Sequence, residues 1–186
     1  MLRILDLLFS LIGLILFSPL MLLVYILIFV ENKSPFFYQE RIGRNKSKFI
    51  LIKFRTMKLG TKSCATHLVE SSRITYLGHI LRKTKIDELP QLLNVLKGDM
   101  SLVGPRPCLP TQRELINLRD RYNLYVFVPG ITGLAQIKKI DMSEPEILSE
   151  TDYRMMKKLN IRYYFYYILM TLFGRGAGDR VKDNYY

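Results

Sequence analysis

Cysteine and histidine are scarce: two of each occur among 186 residues. Cys64 and Cys108 are too few and too far apart to suggest a disulfide framework or a zinc site. That excludes the small disulfide-stapled folds and makes a reducing, cytosolic setting the default. His67 and His79 have no partner at metal-ligand or triad spacing and read as surface or structural histidines. Acidic residues are also in short supply, with 16 Asp and Glu against 28 Lys and Arg, a formal net charge of +12. So basic a balance points to an anionic partner, and nucleic acid, acidic lipid or a phosphorylated substrate would each satisfy it. Internal repeats and low-complexity tracts are absent.

The chain instead has a long hydrophobic run at its start. MLRILDLLFSLIGLILFSPLMLLVYILIFV carries no charge between Asp6 and Glu31, and such a stretch could cross the roughly 30 Å of bilayer hydrocarbon. It exceeds the h-region of about 7–15 residues typical of a signal peptide and has no A-x-A-like cleavage site, so a retained membrane segment is expected. A buried core helix is the alternative. Pro19 removes a backbone hydrogen bond and its ring opposes the carbonyl of Ile15. The hydroxyl of Ser18 can serve a carbonyl freed nearby. A kinked spanning helix and a hairpin that enters and leaves by one face both fit, with composition leaning toward the kink. Lys33, Arg41, Arg44, Lys46, Lys48, Lys53 and Arg55 follow and mark that side as cytoplasmic. About 150 residues remain for one modest core.

PFFYQERIG and KFILIKFRTM are rich in aromatic and β-branched residues and flank the turn-forming GRNKS, which predicts a β-hairpin over 35–57. A loop is expected over 58–72 and a short helix over 74–82. In KIDELPQLLNVLKG, Asp87 makes an N-cap, Glu88 the first helical residue, and Pro90 stays within the first turn. Leu92, Leu93, Val95 and Leu96 form the apolar face, and Gly98 suits the C-terminal cap. SLVGPRP reads as a rigid loop holding Arg106 between two prolines, 113–122 as a helix, and VPGITGLAQ as a second loop. The aromatic stretch IRYYFYYILMTLFG, flanked by Lys157, Lys158, Arg162 and Arg175, reads as a helix at the water–lipid boundary, with a core helix as the alternative.

One N-cap carboxylate would suffice for capping, and this chain has two acids. A helix N-terminus attracts anions, and its free N–H groups would keep Asp87 ionised. An ionised carboxylate can attack phosphorus and form an acyl-phosphate, dividing one difficult transfer into two. The phosphate charge must then be neutralised by arginines or a divalent cation. Arg82, five residues before Asp87, and Arg106 are candidates. A second class of function is a basic, membrane-anchored module that grips anionic lipid or nucleic acid. Against it, the basic residues are scattered and no nucleic-acid-binding signature occurs.

KFRTM (53–57), LRKTKIDELPQLLNVLKGDMSLVGPRP (81–107) and PGITGLAQ (129–136), with QERIG and the Ser-Pro-broken segment before them, resemble the bacterial sugar transferase family. These are monotopic phosphoglycosyl transferases that start glycan assembly on polyprenol phosphate. The resemblance implies an α-rich α+β protein: a re-entrant helical hairpin over 1–31, broken at Ser18 and Pro19, and a cytosolic catalytic domain over 32–186 with amphipathic interfacial helices and a small β-hairpin. It replaces the preference for a kinked span and implies the cytosolic face of a bacterial inner membrane. It makes Asp87 the nucleophile that takes sugar-1-phosphate from a UDP-sugar donor and releases UMP. Glu88 becomes an acid/base or positioning group. Arg82, Arg106, Lys53 and Arg55 become phosphate-binding residues, and Mg2+ lies beside Asp87. Undecaprenyl phosphate is the implied acceptor and membrane lipid a partner, with no nucleic acid. A narrower alternative is direct transfer, with Asp87 only holding Mg2+. Two departures bear on the sugar. The arginine expected after PGITGLAQ falls on Ile140, leaving Lys138 or Lys139 as substitutes, and an expected aspartate falls on Tyr164.

Overall fold

The computed structural model describes residues 2–61 and 71–176. Residues 62–70, most of the loop read over 58–72 and the site of Cys64 and His67, lie outside the described residues.

The hydrophobic run folds as one helix, α1 (Leu2–Asn32), roughly 46 Å long at 1.5 Å per residue. Helical structure continues through Pro19. Ser18 Oγ donates to the Ile15 carbonyl at 2.8 Å, the acceptor that proline cannot serve. One face of α1 is bare and apolar, with Ile4, Leu11, Ile15, Leu16, Leu22 and Val30 exposed. The other face lies on the body at both ends. Near the start, Arg3 donates to the carbonyls of Met100 and Leu96. Asp6 Oδ1 accepts from Ser101 Oγ at 3.0 Å, Leu102 N at 2.9 Å and the Tyr164 hydroxyl at 2.8 Å. Near the end, Val24 and Ile28 are buried with Phe54 and Leu81.

β1 (Phe36–Ile42) and β2 (Lys48–Phe54) pair antiparallel, from Phe36 opposite Phe54 to Ile42 opposite Lys48, which is the hairpin read from the sequence. Gln39 and Arg41 are buried while Tyr38 and Glu40 are exposed, so strand alternation turns an arginine inward. α2 (Tyr76–Thr84) starts two residues later than expected because Thr75 is its cap, accepting from Gly78 N at 3.0 Å. Gly78 lies flat against the KFRTM strand end, where a Cβ would come within 2.1 Å of the Thr56 carbonyl.

The acidic pair does not cap a helix. Lys85 takes a left-handed conformation (φ 58°) that ends α2, and Ile86–Glu88 form a 3-10 turn. α3 begins only after Pro90, as Gln91–Lys97. The local preference of Asp for an N-cap yields here to a tight step between two helices. The buried face of α3 is also more polar than read: Gln91, Asn94 and Val95 are buried, whereas Leu93 is exposed. Asn94 docks α3 on β2, accepting from Ile52 N at 3.0 Å and donating to the Ile50 carbonyl at 2.7 Å. Gly98 (φ 97°) closes the helix as expected.

The two glycine- and proline-rich loops contain strands. β3 (Ser101–Val103) and β4 (Gly130–Thr132) pair in parallel, Ser101 opposite Gly130 and Val103 opposite Thr132. The backbones touch where they cross, since a Cβ on Gly130 would fall 2.0 Å from Gly104 N. Around this pair stand α4 (Arg113–Arg121), α5 (Leu134–Ile137), α6 (Pro145–Lys158) and α7 (Ile161–Leu172). In α7, Tyr164 and Tyr167 are core residues beside Val103 and Met155, while Ile161, Phe165, Tyr166, Leu169 and Leu172 are exposed. One face is therefore core, and the other is exposed and apolar or aromatic. The described residues are helix-rich with two small sheets.

Candidate active site

Four segments converge. The inward face of the hairpin supplies Arg41 and Lys53, α2 supplies Arg82, the 3-10 turn supplies Asp87 and Glu88, and the loop after β3 supplies Arg106. Asp87 is 4% exposed. Arg106 Nη2 donates to Glu88 Oε1 at 2.6 Å. Arg82 is buried, and its Nε donates to Thr56 Oγ1 at 2.8 Å, tying α2 to the KFRTM segment. A shallow cleft opens beside them, lined by Arg41, Lys53, Gln91, Arg106, Pro107 and Gly130 among others.

Burial pushes the Glu88 carboxyl up, but Arg106, Lys85 and Lys53 outweigh it and hold the group below its ordinary value. Glu88 is therefore ionised at neutral pH and suited to accept a proton or orient a cation, not to donate a proton. Arg41 is lowered to about 10 by burial and by the charge of Arg106, so it remains cationic. Arg41, Lys53 and Arg106 give the cleft a positive lining suited to an anion, and Arg106 also reaches Glu88.

The loop carrying Arg106 is held by its acceptors. Proline has no N–H to offer, and the three consecutive carbonyls of 105–107 are all bound. Pro105 accepts from Gly130 N at 2.9 Å, Arg106 from Arg119 Nη1 at 2.7 Å, and Pro107 from Arg41 Nη1 at 2.9 Å. Arg119 in turn meets Asp152 at 2.6 Å, both fully enclosed. Burial works against both charges, and the pairing holds Arg119 above its ordinary value.

The fold thus brings Glu88, Arg106 and Lys53 together, with Asp87 buried next to Glu88 in the same turn and Arg82 buried against Thr56. Arg55 is differently engaged: Nε donates to the Ser34 carbonyl at 2.9 Å and Nη2 to Ser34 Oγ and the Phe36 carbonyl at 3.1 Å. It closes the connection from α1 to β1. Ser18 and Pro19 lie within α1. Ile140 packs against the Leu115 and Tyr125 cluster while Lys138 and Lys139 are exposed. Tyr164 bonds to a carboxylate donated by α1. His79 is exposed, and Cys108 is buried with its Sγ 3.5 Å from the Tyr125 hydroxyl.

Arg41, Arg119 and Asp152 were not identified from sequence as site residues. Their signals are charges on otherwise apolar stripes: Arg119 follows Leu115 by four residues, and Asp152 stands between Leu148 and Met155. For a divalent cation, no group of three or more His, Cys, Asp or Glu occurs among the described residues. Asp87 and Glu88 alone are a hard-oxygen pair, which suits Mg2+ shared with substrate phosphates better than a closed protein cage.

Fold and site together define a helix-rich body with a cationic cleft, an acidic pair tied to it through Arg106, and a long apolar helix along one side. The chain belongs to the family described as bacterial sugar transferase, which matches residues 1–175. It is 37% identical over 187 residues to a UDP-N-acetylgalactosamine-undecaprenyl-phosphate N-acetylgalactosaminephosphotransferase of Aeromonas hydrophila, a match covering 92% of this chain and 44% of the relative. It is 37% identical over 163 residues to a UDP-glucose:undecaprenyl-phosphate glucose-1-phosphate transferase of Caulobacter vibrioides, covering 81% and 61%. It is 36% identical over 174 residues to a galactosyl transferase of Streptococcus agalactiae serotype III, covering 87% and 37%. The chain thus spans only part of each relative's length.

Proposed function

We propose that the protein transfers sugar-1-phosphate from a UDP-sugar to undecaprenyl phosphate at a membrane surface, in two steps through Asp87. In the first, an Asp87 oxygen attacks the phosphorus that bears the sugar, the phosphorus–oxygen bond to UMP breaks, and UMP leaves. In the second, a phosphate oxygen of the acceptor attacks the same phosphorus, the acyl-phosphate bond breaks, and the Asp87 carboxylate is restored. The observation that carries this reading is the buried Asp87 next to an ionised Glu88 that Arg106 clamps at 2.6 Å, on the edge of a cationic cleft. Arg106, Lys53 and Arg41 would bind the diphosphate and disperse the charge of the transferred group. Bound Mg2+, held by Asp87 with Glu88 beside it, would supply further neutralisation of phosphate charge. The relatives' names support the donor and acceptor classes and differ in the sugar, so the sugar stays open.

Contacts at both ends of α1 support a re-entrant or in-plane seat. A spanning helix must carry one end about 30 Å away across the hydrocarbon, whereas Asp6 and Ile28 both lie on the body. We place that body on the cytosolic face, where the basic residues after α1 meet an acidic leaflet. The bare face of α1 and the exposed aromatics of α7 would lie in lipid.

The test is UMP release from a panel of UDP-sugars with undecaprenyl phosphate and Mg2+, comparing wild type with Asp87→Asn. Release from a donor by the wild type, lost in a variant that still folds and binds membrane, is the expected result. Full turnover by Asp87→Asn refutes the covalent route. Ping-pong kinetics with a trapped phospho-sugar adduct separates it from direct transfer.

A further inference from the structure

Arg119 on α4 and Asp152 on α6 meet with 3% and 0% of their side chains exposed. As a source of stability such a pair is poor, because desolvating two charges offsets most of their attraction and apolar replacements often do as well. This one is also incompletely satisfied. Arg119 Nε and Asp152 Oδ1 are buried with no hydrogen-bond partner among the described residues, a costly state in a low dielectric. Nor is the pair needed to join the two helices, which already share the apolar cluster of Leu115 and Leu148.

What the pair supplies is direction. One arm of the Arg119 fork rests on Asp152 Oδ2 and the other on the Arg106 carbonyl, at 2.6 and 2.7 Å. Pro105 and Pro107 have fixed φ, and a residue preceding proline is confined to extended backbone. Within that restricted backbone, Arg119 supplies the hydrogen bond that holds the 106–107 peptide plane, between Gly130 on the carbonyl before it and Arg41 on the carbonyl after it. From the same residue the Arg106 side chain reaches Glu88.

We propose that the Arg119–Asp152 pair is a positioning device for Arg106, setting its guanidinium over Glu88 through the loop backbone without touching substrate. Its catalytic consequence rests on the sugar-phosphate transfer proposed above; its geometric consequence does not.

The test replaces the pair by apolar residues of similar size, Arg119→Met with Asp152→Leu, in the full chain in detergent. The expected result is a melting temperature held near the wild-type value with kcat/KM lower by about 10- to 100-fold, the usual scale for misplacing a group by about 1 Å. In an Arg106→Ala background the same replacement should cost less than about twofold, because the residue through which it acts is gone. Side-chain NMR of 15N-labelled arginine should show the Arg106 guanidinium restrained in wild type and rotationally averaged in the variant. Activity within about twofold of wild type, or an equal loss in both backgrounds, overturns the proposal. If the apolar pair does not fold, Asp152→Asn is read by the same measurements. If wild type releases UMP from no donor, the transfer reading fails alone and the Arg106 signal decides. A signal that does not change then overturns the positioning role.

Discussion

Asn94 is 0% exposed and supplies both halves of a strand's hydrogen bonding to β2. Its Nδ2 also donates to Asp99 Oδ2 at 3.2 Å. Asn94→Asp keeps the shape and turns that donor into an acceptor, facing the Ile50 carbonyl at 2.7 Å and the Asp99 carboxylate. Only a protonated carboxyl restores the lost bond. The introduced group therefore has a folded-state pKa raised above its unfolded value of about 3.9. The sign follows: the deficit is small below that pH and grows by about 1.4 kcal/mol per unit as the unfolded chain ionises, until the folded-state pKa is reached. If the proton is kept to neutrality, about three units accumulate, or about 4 kcal/mol. At 2–4 °C per kcal/mol for a chain of this size, the variant should melt about 8–16 °C below wild type near pH 7. Circular-dichroism melts in detergent at one scan rate, at about pH 4.5, 6 and 7.5, measure it. A gap that stays constant across that range, or one below about 2 °C at the upper end, refutes the docking role of Asn94.

Other perturbations have equally definite outcomes. Arg106 is the largest influence holding Glu88 low against burial, so Arg106→Ala raises the Glu88 pKa and moves the acid limb of the kcat/KM profile to higher pH. An unmoved limb removes Glu88 from that titration. Gly78→Ala puts a methyl 2.1 Å from the Thr56 carbonyl, and overpacking of this kind costs about 1–3 kcal/mol, read as a lower melting temperature. A variant as stable as wild type would mean that α2 can move away from KFRTM freely. Burial and Asp6 push the Tyr164 hydroxyl up, keeping it a donor. A cycle of Asp6→Asn and Tyr164→Phe should return a coupling of about 1–3 kcal/mol. Additive losses would show that the contact stabilises nothing.

Much of this was legible because it is local. GRNKS between two β-prone runs specifies the hairpin, and Gly98 ends a helix by its own conformational preference. The Ser18 hydroxyl serves the carbonyl that Pro19 abandons. The acid pair and Arg106 were found from motif and spacing. What escaped depends on distant partners or on competition between local preferences. β3 and β4 are three residues each, nearly thirty apart in sequence, with no alternation to betray them. Arg119 and Asp152 are separated by 33 positions and announce themselves only as charges on buried stripes. Asp87 has the propensity of an N-cap, but the left-handed Lys85 and the following Pro90 compress the segment into a 3-10 step. Arg55 sits in a matched motif, and only the fold shows its donors spent on Ser34 and Phe36.

Asp6 and Tyr164 are 158 residues apart, and a ribosome adding about 5–20 residues per second needs roughly 8–30 s to make the second after the first. Throughout that interval α1 exists without Tyr164, and for more than half of it without Ser101 or Leu102. Until those partners exist the Asp6 carboxylate keeps its hydration, since an unpaired charge resists burial. The seat of α1 on the body is completed when α7 emerges and offers the last hydroxyl. α1 is thus among the last of these elements to be fixed, although its residues precede those of its partners in the chain.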